Sequence, residues 1–186
     1  MRLFVGIPLA TTTTHELGAE VDRLRSKTAS ESRLRWSAAE SWHITLQFLG
    51  STEPERYNCI TTQLRNLRHA PIPIELDDLG FFDRVGVFFA AVSPTPGLLS
   101  LQQRVTAATA PCGFIPETRA YHPHITLARS KGKAGAQSLR ALKARLHHPP
   151  GFHRFTAAEF LLYESLPTPS GSRYEVRDRF PLTPDH

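Results

Sequence analysis

Residues 42–49 read WHITLQFL and residues 121–129 read YHPHITLAR, so the tetrapeptide His-Ile-Thr-Leu stands at His43–Leu46 and again at His124–Leu127. In an extended chain, successive side chains point to opposite faces. Each copy therefore turns one imidazole and one hydroxyl to one side and anchors itself by apolar groups on the other. Carried outward, the alternation puts Trp42, Ile44, Leu46 and Phe48 on an apolar side and His43, Thr45 and Gln47 on a polar one. Around the second copy it puts Tyr121, Ile125 and Leu127 inward and His122, His124 and Thr126 outward. Both stretches read as half-buried strands with a polar working face. Where a fold brings them together, two histidines confront each other across a small polar cleft.

Outward from these strands the pattern alternates. Arg2 to Leu9 is a short apolar strand. Thr13 to Lys27 carries Leu17, Val21 and Leu24 at helical spacing, with caps among Thr11 to Thr14. Trp36 sits in a short extended piece. A second helix runs from Pro54 to about Arg68, with Thr52 as its cap and Pro54 in its first turn. Ile72 to Phe82 and Gly86 to Val92 form a hairpin turning at Asp83-Arg84-Val85. Pro96 to Ala110 is a helix containing Leu98, Leu101, Gln102 and Val105, and a basic helix covers Gly135 to Leu146. Two strands, Phe155 to Glu164 and Arg173 to Phe180, close the chain. A similar element order surrounds each motif copy. The economical arrangement is a single α+β domain over residues 1–186. Two comparable lobes built on antiparallel-rich sheets would each lend one motif strand to a shared cleft.

Bulk properties bound the alternatives. The chain has 186 residues, 40% hydrophobic and 21% charged, which suits one soluble globular domain with a substantial core. No run approaches the roughly 20 apolar residues of a membrane helix, and the opening MRLFVGIPLA lacks the long apolar stretch of a secretory signal. Cys59 and Cys112 are too few for a disulfide framework, so a reducing cytoplasm is the expected compartment. The net charge is +5, and 18 of the 22 basic residues are arginine. Guanidinium forms planar two-pronged hydrogen bonds to phosphate, which fits a phosphate-bearing partner. A compositional bias of the source genome would leave the same trace.

Hydrolysis of a phosphodiester needs a base that takes a proton from water and an acid that protonates the departing oxygen. Imidazole titrates near neutral pH, so His43 and His124 can hold opposite protonation states in one site. The hydroxyls of Thr45 and Thr126 can donate to the non-bridging oxygens, where charge develops. Arg129 follows the second motif; strict alternation puts it opposite His124, although a long side chain at a strand end can curl towards a phosphate. Metal binding is the main rival, because His122 and His124 lie on one strand face, but no third-ligand pattern accompanies them. His147-His148 reads as a solvated loop, and His15, His69, His153 and His186 carry no pattern.

MRLFVGIPL at the start, RWSAAESWHITLQFLG at Arg35 to Gly50 and YHPHITLAR at Tyr121 to Arg129 resemble the two-histidine phosphoesterases, and within them the RNA 2′,3′-cyclic phosphodiesterases, also called 2′-5′ RNA ligases. The resemblance covers nearly the whole chain. It implies a bilobal α+β fold with pseudo-twofold symmetry, no metal and no nucleotide cofactor. By motif position it implies catalysis by His43 and His124 and phosphate binding by Thr45, Thr126 and Arg129, with His124 as base and His43 as acid. The implied substrate is an RNA or oligonucleotide end carrying a 2′,3′-cyclic phosphate, met by a monomer that touches no membrane. Ligation of RNA ends through a 2′-5′ linkage uses the same groups, and a non-catalytic RNA-end binder would present the same pocket. The family pattern has a tryptophan where this chain has Phe88, a difference that leaves the chemistry alone and bears on how a base is stacked.

Overall fold

The computed structural model describes residues 1–28, 33–146, 151–169 and 171–184. His147, His148 and His186 lie outside the described residues. The chain runs β1 (Arg2–Pro8), α1 (Thr11–Ser26), β2 (Leu34–Trp36), β3 (His43–Ser51), α2 (Pro54–Arg65), β4 (Ile72–Ile74), β5 (Leu76–Phe82), β6 (Val87–Val92) and α3 (Pro96–Thr109). It continues through β7 (His124–Ser130), α4 (Gly132–Lys143), β8 (Phe155–Ala157), β9 (Glu159–Thr168) and β10 (Gly171–Pro181).

The strands form two four-stranded sheets, ordered β10-β9-β1-β3 and β2-β7-β6-β5, and a two-stranded ribbon β4-β8. Every pairing is antiparallel. The fold is the expected α+β pair of lobes with pseudo-twofold symmetry: β1-α1-β3-α2 on one side corresponds to β6-α3-β7-α4 on the other. β2 breaks the symmetry. It lies between α1 and β3 in sequence, yet it crosses to the edge of the second sheet beside β7.

Hydrophobic spacing explains why the helices sit where they do. Leu17, Val21 and Leu24 of α1, Ile60 and Leu64 of α2, Leu98, Leu101 and Val105 of α3, and Leu139 and Leu142 of α4 are all buried. They belong to one cluster that continues into the inward faces of both sheets through Val5, Ile7, Ile44, Phe88, Ile125 and Leu127. Among the described residues no helix is long and apolar enough to cross a membrane.

Several local expectations change in three dimensions. Ile72 to Phe82 is two strands, and so is Phe155 to Glu164. The leading pieces β4 and β8 leave the main sheets to pair with each other. The first-helix cap is not a threonine: Ala10 occupies that position, and the Thr14 hydroxyl donates to its carbonyl instead. Thr52 does not cap α2 either; its hydroxyl donates to the Gly50 carbonyl, and Glu53 holds the cap position. β7 starts only at His124, so Tyr121 and His122 precede the strand. Phe88, completely buried between Phe81 and Trp36, has no face on the cleft and bears on packing rather than on base stacking.

The two cysteines also depart from expectation. Cys59 on α2 and Cys112 after α3 form a disulfide with Cα atoms 5.7 Å apart. They are 53 residues apart in sequence, and only the packing of α2 against α3 makes them neighbours. A disulfide of this kind is rare in the reducing compartment that the cysteine count suggested.

Phe88→Ala should cost about 3–5 kcal/mol of unfolding free energy, the range for emptying a buried aromatic site. Urea denaturation followed by circular dichroism measures it, and a loss below about 1 kcal/mol would contradict this packing.

Candidate active site

The site is built where β3 and β7 face each other between the sheets. The cross-strand registers carry a feature that alternation does not foresee. In β3, Thr45 pairs with Gly6 and Gln47 with Val5, leaving Leu46 as a bulge. In β7, Thr126 pairs with Phe89 and Ala128 with Phe88, leaving Leu127 as a bulge. The two irregularities thus fall on the same residue of the repeated tetrapeptide. An extra residue in one strand shifts the facing of everything beyond it.

The consequence is the same in both lobes. Leu46 and Gln47, and likewise Leu127 and Ala128, point to the core side and are buried. Gln47 there accepts a 2.8 Å hydrogen bond from the Thr109 hydroxyl, so its expected place on the polar side is corrected. The next residue in each strand then turns to the cleft side. In β3 that is Phe48, expected inward but 64% exposed. In β7 it is Arg129, which the bulge brings to the face of His124 and Thr126 without any need to curl. An aromatic and a cation therefore occupy equivalent positions, each five residues after a motif histidine.

Each imidazole is oriented by a backbone carbonyl two residues upstream. His43 Nδ1 lies 2.7 Å from Ser41 O, and His124 Nδ1 lies 2.8 Å from His122 O. A carbonyl only accepts, so both Nδ1 atoms carry hydrogen and both Nε2 atoms are left for the cleft. His43 Nε2 also receives a 3.0 Å bond from the Thr45 hydroxyl. The rings rest on aromatic surfaces. Phe4, Tyr163 and Tyr174 surround His43, with centroids 4.6, 5.7 and 5.2 Å away. Phe82 and Phe89 meet His124 edge-on at 5.0 and 5.5 Å. Gly6 makes room for His43: a Cβ there would stand 3.3 Å from His43 Cδ2 and 3.0 Å from Ile44 O.

Tyr121 ties the two motifs together. Its hydroxyl donates a 2.8 Å bond to Thr45 O across 76 residues of sequence. β3 is an edge strand, so this bond gives Thr45 O a partner that the sheet's outer side lacks. Burial pushes the Tyr121 phenol up from its ordinary range, which keeps it a neutral donor.

The electrostatics place the groups in one field. Burial is the main cause that lowers His43 to about 4; the bond to Ser41 O opposes it, and the charges of His124 and Arg129 lower it further. His124 is also lowered, by burial first and then by Arg129 and His122, against its bond to His122 O. Both rings are thus neutral at pH 7 in the empty cleft. Of the expected site residues, His43, His124 and Arg129 lie close enough to act on one another's charge, Thr45 bonds to His43, and Thr126 shares the strand face of His124. His122 does not join them as a second ring: it contributes its carbonyl, and its side chain is exposed. Among the described residues no three His, Cys, Asp or Glu groups are gathered so as to hold a metal. Tyr121, Phe48, Gly6 and the aromatic floor escaped the sequence reading. Only Phe48 had a usable signal, its position relative to His43 matching that of Arg129 relative to His124.

Two antiparallel sheets meeting through paired His-x-Thr strands define the two-histidine phosphoesterase class. The model of the 2′-5′ RNA ligase superfamily matches residues 14–166, and the chain belongs to that superfamily. It is 31% identical over 148 residues to the RNA 2′,3′-cyclic phosphodiesterase of Escherichia coli strain K12, covering 78% of each protein. It is 28% identical over 182 residues to the RNA 2′,3′-cyclic phosphodiesterase of Methanocaldococcus jannaschii, covering 95% of this chain and 98% of that one. Among solved structures it superimposes on E. coli LigT complexed with 3′-AMP with a TM-score of 0.79 at 27% identity, over 98% of both chains.

The depressed histidines make stability depend on pH. The unfolded chain takes up these protons near pH 6.5, whereas folded His43 does so only near 4. Between those values the unfolded state binds more protons, so unfolding free energy falls as pH drops from about 6.5 and levels off, for this group, below about 4. Urea denaturation at pH 7 and pH 5 should show a smaller acid loss in His43→Gln than in the unaltered protein. Equal losses would mean that His43 titrates normally.

Proposed function

We propose that this protein hydrolyses a terminal 2′,3′-cyclic phosphate on RNA to a 2′-phosphate, as a single two-lobed domain acting as a monomer. The observation that carries the reading is electrostatic and geometric together. Two neutral imidazoles, with Nδ1 committed to backbone and Nε2 directed to the cleft, share one field with an exposed arginine. That set handles a proton at either side of an anionic phosphorus centre. Both motif strands come from one chain, so no second copy is needed to complete it.

In this reading His124 Nε2 takes a proton from water, and the water oxygen forms a bond to phosphorus. The bond from phosphorus to the 3′ oxygen breaks, and His43 Nε2 delivers its proton to that oxygen. The products are a 2′-phosphate and a free 3′ hydroxyl. His43 must hold a proton beforehand, although burial keeps it neutral in the empty cleft. The negative phosphate supplies the opposite charge that restores it. Once Nε2 is protonated it no longer accepts from Thr45, whose hydroxyl is freed to donate to a non-bridging oxygen. Thr126 and Arg129 bind the same oxygens from the other lobe, and the exposed ring of Phe48 offers a face on which a base can stack. The relatives named as RNA 2′,3′-cyclic phosphodiesterases support this substrate. Joining of RNA ends through a 2′-5′ linkage is the reverse use of the same groups. An RNA substrate fits the cytoplasmic compartment expected from the sequence, although the Cys59–Cys112 disulfide is of a kind rare there.

His43→Ala and His124→Ala should each lower kcat by at least about 100-fold on a dinucleotide ending in a 2′,3′-cyclic phosphate. Phosphorus NMR of the product should show the 2′-phosphate. A loss below tenfold in both variants removes the pair from the mechanism. Excess EDTA should leave the rate unchanged, and a rate abolished by EDTA and restored by a divalent ion would favour the metal reading.

A further inference from the structure

Resting on that reading, we propose that Arg35 binds a second phosphate, one carried on the 5′ side of the nucleotide whose cyclic phosphate reacts. Arg35 lies on β2, the strand that leaves the first lobe to border the second sheet, and in the β2–β7 pairing it stands directly opposite Arg129. Its neighbours decide which way it points. Leu34 and Trp36 pack against the core, Trp36 edge-on against Phe88 at 5.9 Å. Alternation then sends Arg35 to the other side, the cleft side, where the bulge at Leu127 has also sent Arg129.

Two like charges directly opposite on neighbouring strands weaken a sheet. Elsewhere the protein relieves its arginines with carboxylates: Arg179 meets Glu159 at 2.8 Å and Arg65 meets Asp178 at 2.9 Å. Among the described residues neither Arg35 nor Arg129 has such a partner, and both are exposed. An unrelieved pair of guanidinium groups at the mouth of the cleft is stabilised by bound anions. Arg129 lies near enough to both imidazoles to act on their charge, and in the proposed reaction it holds the reacting phosphate, which leaves Arg35 for another anion. The stem of Arg35 runs beside Gly171, the first residue of β10, where even an added Cβ would only just touch its Cδ at 3.7 Å. The stem of Arg35 thus leaves β2 on the side where the β9–β10 hairpin of the first sheet lies.

The chemistry of the substrate identifies the anion. A 2′,3′-cyclic phosphate uses both secondary hydroxyls of its ribose, so the 5′ oxygen is the one sugar position left to carry another phosphate. That group is an internucleotide diester in an RNA end and a monoester in a 5′-phosphorylated mononucleotide. Arg35 therefore selects for a nucleotide with something attached at its 5′ oxygen.

The test compares a nucleoside 2′,3′-cyclic phosphate, its 5′-phosphorylated form and a dinucleotide ending in the cyclic phosphate. The unaltered protein should favour the dinucleotide over the simple mononucleotide in kcat/KM by tenfold or more, and Arg35→Gln should reduce that ratio about tenfold through KM. Arg35→Lys should restore part of it, because the charge remains. If the 5′-phosphorylated mononucleotide behaves like the dinucleotide, a terminal phosphate suffices; if only the dinucleotide is favoured, the diester is the ligand, and either outcome supports the proposal. An unchanged ratio in Arg35→Gln overturns it, and so does an equal loss on all three substrates, which would put Arg35 on the reacting phosphate. Should the unaltered protein hydrolyse none of them, the proposed reaction fails by itself. Arg35 is then judged by binding of a dinucleotide bearing a terminal 3′-phosphate. Arg35→Gln should flatten the plot of log affinity against log salt by about 0.7, the value for one phosphate contact on a single strand, and equal slopes overturn the proposal.

Discussion

One unpaired residue at the same place in each motif, Leu46 in β3 and Leu127 in β7, governs what the cleft contains. The strand cannot keep its alternation past such a bulge, so the fifth residue after each histidine changes face. Without the bulges Phe48 would be driven into the core and Arg129 would lie behind the second sheet, leaving two His-x-Thr faces and little to grip a ligand. The bulged leucines are themselves fully packed, which explains how the irregularity is held: their side chains fill the core on the side away from the site. Core packing and ligand-facing geometry are thus one constraint seen from two sides.

The two halves of the cleft are symmetric in backbone and unlike in environment. Both imidazoles hang from a carbonyl two residues back, but His43 lies over Gly6 on a bed of Phe4, Tyr163 and Tyr174, while His124 meets only the edges of Phe82 and Phe89. The more enclosed ring pays the larger desolvation penalty and is the more strongly depressed. In the proposed reaction such a pair becomes asymmetric once a negative charge arrives. The empty site therefore avoids holding buried positive charge against Arg129.

Connections between the lobes come from elements that local sequence patterns assign to one lobe only. β2 follows α1 yet borders β7; Tyr121 precedes the second motif yet holds Thr45 of the first; β4 and β8 leave their parent strands to pair with each other. The Cys59–Cys112 link adds a covalent tie between helices of the two halves. Two of these crossings act at the motif strands themselves: β2 pairs with β7, and Tyr121 bonds to β3.

Much of this was legible in the sequence because it is periodic and local. Doubled His-Ile-Thr-Leu, strand alternation through Ile44 and Ile125, and helical spacing in Leu17-Val21-Leu24 depend on residues within a few positions of each other, and they determined the element order, the lobed α+β class and the five candidate residues. Tertiary structure decided the rest: which residue bulges, that Phe48 is exposed and Gln47 buried, that Arg35 stands opposite Arg129, and that two distant cysteines meet. Those outcomes depend on the register between strands far apart in sequence, and a shift of one residue in register reverses every facing beyond it. One chain read alone contains no record of that register, which arises only when the sheets pair and the core closes.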